Sequence, residues 1–279
     1  MEGLPNELGN IIKDYVIFKP QTYDELKKAV NLWCVNKDEA LNKYGHISIW
    51  DTSVITDMSE LFYLKKNFND NINNWDVSNV TDMEGMFVCC KNFNQPLNKW
   101  NVSNVTNMGG IFYEAESFNH SINSWDVSSV TYMNSMFHEA SSFNQPLNSW
   151  DVSSVIYMDR MFYGAKSFNQ PLNLWDVSSV TRMDYMFEYA PLFNQHLHSW
   201  NVSSVYNMNE MFSGAHAFNQ PLDSWDVSSV VSMWGMFHSA STFNQPLNLW
   251  NVSSVINIEC IFEGASSFDR SNALWYDFN

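Results

Sequence analysis

Apolar side chains return along this chain at an interval of 25 residues, carried by Trp50, Trp75, Trp100, Trp125, Trp150, Trp175, Trp200, Trp225, Trp250 and Trp275. A fixed period of that size marks stacked units, each too short to bury its apolar face alone. Within one unit the spacing of apolar residues changes. Trp150 and Val152 alternate, as on a short strand with one buried face. Val155, Met158, Met161, Phe162 and Ala165 then follow at threes and fours, as on one face of a short helix. The pattern predicts an α/β repeat solenoid in which each coil holds a short parallel strand, a turn, a short helix and a return loop. Nine such coils fill residues 47–275, and strand spacing of about 4.8 Å makes them a body about 43 Å long. Two phenylalanine rows, through Phe162 and Phe168, become core ladders, with the methionine row through Met158 filling gaps between them.

The first 46 residues lack the repeat and are predicted as a helical cap, and residues 276–279 as a short tail. Thr22 opens an amphipathic helix as its N-cap, with Glu25 at the capping-box position and Leu26, Ala29, Val30 and Trp33 following. Such a helix closes the open end of the first coil. Upstream, Leu4 and Pro5 begin a second helix within residues 1–18 with Leu8, Ile11, Ile12 and Tyr15 on one face, and these six are the candidate adaptor-docking residues. This segment resembles the opening of an F-box, which docks onto the Skp-type adaptor of ubiquitin ligases. A helix packed on the array as part of the cap explains the same residues.

Charge narrows the range of partners. The formal charge is −16, and residues 51–279 carry most of it, with 23 acidic and 8 basic side chains. That surface repels nucleic acid and anionic membranes and suits basic protein partners. Cys34, Cys89, Cys90 and Cys260 follow no disulfide or zinc spacing. Neither a secretory leader nor a run of about 18 apolar residues is present, which points to a cytoplasmic protein, or to virion or host cell if the chain is viral. No cofactor motif occurs. The histidines, His46, His120, His138, His196, His198, His216 and His238, occupy irregular and mostly exposed positions without triad or metal spacing, so an enzyme is not expected.

Two polar rows accompany the tryptophans. The Asp or Asn after each Trp, from Asp51 to Asn251, faces outward and reads as a turn residue that accepts a nearby backbone N–H. The serines two residues further on, from Ser53 to Ser253, read as caps of the following turn. Binding information lies where repeats differ. Tyr132, Tyr157, Arg182 and Tyr185 form an outward cluster of interface-prone residue types and are the candidate partner-binding residues. Tyr63, Tyr113, His138, Tyr163, Asp184, Trp234 and His238 vary near them.

The unit FNQPLNSWDVSSV followed by TxMxxMFxxAxxF resembles the repeat of the BspA-like leucine-rich-repeat surface proteins of mycoplasmas, other bacteria, unicellular eukaryotes and large DNA viruses. The match runs over residues 47–270. It implies a leucine-rich-repeat-like solenoid, with Leu-x-x-Trp-x-Val in place of Leu-x-x-Leu-x-Leu, and a role in adhesion or protein binding with no catalytic residue. The expected function is a non-enzymatic protein-interaction scaffold. An F-box-like substrate receptor and a surface adhesin stand as alternatives.

Overall fold

The structure, a computed structural model, describes residues 17–278. Helix α1 spans Tyr23–Val35, and Thr22 caps it by accepting the Glu25 N–H at 3.2 Å. The Glu25 carboxylate accepts from the Gln21 N–H at 2.7 Å, one residue before the usual capping-box donor. A second helix, α2, spans Lys37–Tyr44 behind an Asn36 cap. It buries only Ala40, so periodicity gave no sign of it. The adaptor-docking residues Leu4, Pro5, Leu8, Ile11, Ile12 and Tyr15 lie outside the described residues.

After Tyr44 the expected coil does not form. Among the described residues there is no further α-helix and no sheet, only isolated parallel bridges along Asp57, Asp82, Asn107, Tyr132, Tyr157, Arg182, Asn207, Ser232 and Asn257. The strand-plus-helix, leucine-rich-repeat-like solenoid is therefore replaced by a stack of coils built from turns. Amides close onto carbonyls three residues back: Val155 to Val152 (2.9 Å), Met161 to Met158 (3.2 Å), Ala165 to Phe162 (3.1 Å), Phe168 to Ala165 (3.1 Å) and Trp175 to Leu172 (3.2 Å). Every one of these turns starts and ends on a core residue, which produces the spacing of three that a helix also shows.

Left-handed residues set the turns apart from a helix. Arg160 and Gly164 have φ of +57° and +61°, the value a type II turn needs at its third residue. Two left-handed residues four apart cannot belong to a right-handed helix. Through these two turns every second N–H points toward the next coil. Met158 donates to Arg182 O (3.2 Å), Arg160 to Asp184 O (2.9 Å), Phe162 to Met186 O (2.9 Å) and Gly164 to Glu188 O (2.7 Å). The coils thus gain a parallel hydrogen-bond ladder on one side without forming a sheet among the described residues.

The core rows are those the repeat predicts. Trp150, Val152, Val155, Met158, Met161, Phe162, Ala165, Phe168 and Leu172 are all buried. Trp150 Nε1 donates to Ile122 O of the preceding coil at 3.1 Å, so the indole polar group is satisfied inside the core. Asn144 Oδ1 accepts both the Asn169 N–H and Gln170 Nε2 at 3.0 Å, which gives the Phe-Asn-Gln motif an axial role.

Like rings one coil apart lie at 5.3 Å for Tyr132 and Tyr157, 5.6 Å for Phe137 and Phe162, 6.1 Å for Phe143 and Phe168, and 6.4 Å for Trp150 and Trp175. These exceed the spacing of about 4.8 Å between paired strands. Their gradient shows that the coils fan about an axis on the tyrosine side, which is the inner side of the stack.

Helix α1 closes the first coil chemically as well as sterically. Tyr23 Oη donates to Ser59 O at 2.9 Å, and Lys27 Nζ reaches Glu60 O and, at 3.3 Å, Leu61 O. The carbonyls of Ser59 and Leu61 are ones that, in later coils, receive an amide from the coil before, as Glu84 O does from Glu60. Phe18, Trp33 and Tyr44 cover Trp50, with ring centroids 5.2, 6.0 and 6.1 Å away. At the far end Trp275 still stacks on Trp250 at 6.2 Å, so the repeat keeps register to Trp275 and loses it only afterwards.

Candidate functional site

The Asp and Asn row has a local task. Asp51, Asp76, Asn101, Asp126, Asp151, Asp176, Asn201, Asp226 and Asn251 each accept the N–H of the serine two residues on, at 3.0 to 3.2 Å. Ser128 and Ser153 also donate their hydroxyls to the same oxygen at 2.6 Å, holding the Asp126 and Asp151 carboxyls below the usual range. These serines complete the turn before them instead of capping the next one. A neutral amide makes the same bond, as Asn201 does, so the row needs no cation.

The rows that differ between coils meet on the inner side. Tyr132, Tyr157 and Arg182 are successive rungs of the bridge row. Tyr132 and Tyr157 stack at 16°, and Tyr132 stays 46% exposed. Arg182 is fixed: its Nε and Nη2 donate to the two oxygens of buried Asp184 at 3.0 and 2.8 Å, a planar bidentate pair that raises the guanidinium pKa further. Tyr185 sits on the neighbouring row, with the Arg160 guanidinium 4.4 Å above its ring. The four candidate residues therefore share one face across three coils, and the Arg182 guanidinium is already engaged there.

Beside them lies a cluster that single residues did not reveal. His138 is sandwiched between Tyr113 and Tyr163, ring centroids 4.1 and 4.3 Å away, and is buried, contrary to its expected exposure. Its Nδ1 has no partner among the described residues, as is true of Ser213 Oγ. Burial, helped by Arg160, lowers the imidazole to about 4 and keeps it neutral. Glu188, next along the row after Tyr163, is buried too. Desolvation, then its hydrogen bond to Glu210 and that group's charge, push its carboxyl up to about 8. Asp159 is raised by burial and by Asp184. Arg160 thus stands among a neutral His, a carboxyl pushed well above its usual range and stacked tyrosines. The exact 25-residue register of Tyr113, His138 and Tyr163 was the available signal, since equivalent positions must stack.

Among the described residues no three His, Cys, Asp or Glu side chains are placed to hold a metal ion. His196 and His198 lie edge to face, 5.8 Å apart. Burial raises the Cys34 thiol to about 11 and raises Cys90 further, which disfavours the nucleophilic thiolate. No helix among the described residues is long and apolar enough to cross a membrane.

A family model described as Mycoplasma protein of unknown function, DUF285, matches residues 31–129, 98–197 and 171–275. No curated protein matches the chain.

Proposed function

The chain belongs to the family described as Mycoplasma protein of unknown function, DUF285, and we propose that it is a non-enzymatic protein-interaction scaffold. Its binding surface is the inner face around Tyr132, Tyr157, Arg160, Arg182 and Tyr185. One observation carries this reading: residues shared by the coils are used in the core, the turns and the axial hydrogen bonds, whereas on this face Tyr, Arg and His side chains replace one another from coil to coil and pack together. Aromatic and Arg side chains held rigid by stacking lose little conformational freedom on binding, as interface anchors require. The BspA-like resemblance of the repeat supports the binding role, although its leucine-rich-repeat coil is not what these residues build.

The test is affinity capture with quantitative mass spectrometry, using the full chain beside a Tyr132→Ala/Tyr157→Ala/Tyr185→Ala variant of equal melting temperature. Partners held by the first and lost by the second support the reading. Equal recovery by both baits overturns it, and recovery of ubiquitin-ligase adaptor by both favours the receptor alternative.

A further inference from the structure

The junction of α1 with the first coil forms a second, separate surface. A groove of about 570 Å³ runs between them, lined by Trp33, Cys34, Val35 and Lys37 on the cap side and by residues 64–68 and Asp70 on the coil. Its charge is opposite to that of the array. Lys37, Lys65 and Lys66 line it, with Asp70 as the one carboxylate, and Asp70 is already engaged. It accepts Trp33 Nε1 at 2.8 Å and pairs with Lys37 at 2.6 Å. Among the described residues neither Lys65 nor Lys66 has an ion pair or side-chain hydrogen bond.

Lys65 holds an unusual place. In the later coils its row is Cys90, Ala115, Ala140, Ala165, Ala190, Ala215, Ala240 and Ala265, all buried against a neighbouring coil. The first coil has no coil before it, so a lysine fits there. The groove also exposes aliphatic surface: Val35 is 82% and Leu64 50% exposed, and Leu64 stands at φ +60°, a conformation leucine adopts at a cost of roughly 1 to 2 kcal/mol. Solvent-facing aliphatic side chains rimmed by unpaired lysines complement one class of ligand.

We propose that this groove docks an extended acidic peptide carrying a bulky apolar side chain between its carboxylates. The apolar residue seats against the exposed Leu64 and Val35 side chains, and the carboxylates meet Lys65 and Lys66. Charge complementarity selects this occupant, because basic segments are drawn to the acidic array instead.

The probe is a fluorescein-labelled hexapeptide with a Leu-Phe pair flanked by two glutamates on each side, titrated with the full chain and read by fluorescence anisotropy. Saturable binding that weakens about tenfold or more in Lys65→Glu/Lys66→Glu is expected. Lys65→Arg/Lys66→Arg should retain it, and Leu64→Ser should weaken it with both lysines intact. Each variant is first shown to keep the parent melting temperature, with Lys66→Glu alone as the reserve should the double variant unfold. Absence of binding, or equal binding by the charge-reversed protein, overturns the proposal. Equal binding of a hexaglutamate peptide, or displacement by millimolar inorganic phosphate, overturns it in favour of a plain anion site.

Discussion

The two sides of each coil follow different rules although one backbone makes both. On the tryptophan side, identical residues stack every 25 positions, rings run parallel, and from Trp75 onward the indole N–H reaches back to a carbonyl 28 residues earlier. On the inner side the backbone repeats as faithfully, with left-handed residues in every coil, but the side chains differ from coil to coil. The contrast shows where the stack is constrained. Burial fixes the first side, and the axial amide ladder, which is indifferent to side-chain identity, holds the second and leaves its residues free to specialise.

The comparison breaks most sharply by truncation. Trp150→Ala should lower stability by roughly 3 to 5 kcal/mol in urea unfolding, because it removes a buried indole and its hydrogen bond. Tyr157→Ala, on the inner side, should cost about 1 kcal/mol or less. Similar losses at both positions would erase the distinction.

Backbone handedness gives the next effect. At Gly214, φ is +66° and an added Cβ would lie 2.7 Å from Tyr189 Cδ1, so Gly214→Ala should destabilise by about 1 to 3 kcal/mol. Ser135 has φ +56° and is left-handed without being glycine. Ser135→Gly should raise stability by about 1 kcal/mol in the same assay.

Titration sharpens the inner side further. Glu188 has a folded pKa raised to about 8 from an ordinary 4.5, so its contribution is complete below 4.5 and is lost as pH rises through 8. His138 works in the opposite direction. Its folded pKa is lowered to about 4 from 6.5, so its contribution is present above 6.5 and disappears as pH falls toward 4. Glu188→Gln should flatten the alkaline loss in thermal melts across pH, and His138→Phe the acidic one, each on the order of 1 to 2 kcal/mol. Unchanged pH profiles would show that neither group is held as described. The smallest effect belongs to Asp151→Asn, expected within about 0.5 kcal/mol because Asn201 makes the same turn bond.

Much of this was readable from the chain. A 25-residue interval placed Trp150, Phe162 and Phe168 in ladders, and the Thr22 cap marked the start of α1. The coil itself is hidden in the pattern because turns that close three residues back on core residues share their spacing with a helix. Glycine held the missing clue: Gly85, Gly110 and Gly235 recur at the Arg160 position, and Gly214 and Gly264 at the Gly164 position, all with positive φ. Helix α2 stayed hidden because it buries a single side chain. The burial of His138 and Glu188 depends on neighbours 25 residues away, so it emerges only when rows are compared.

The turn-built coil that points amides along the stack is most directly tested by scalar couplings across hydrogen bonds, measured on deuterated, isotope-labelled protein. Couplings from the Arg160 amide nitrogen to the Asp184 carbonyl carbon, and from Phe162 to Met186, are predicted. Couplings from Phe162 to the carbonyl four residues earlier would instead establish a helix in each coil and contradict the account.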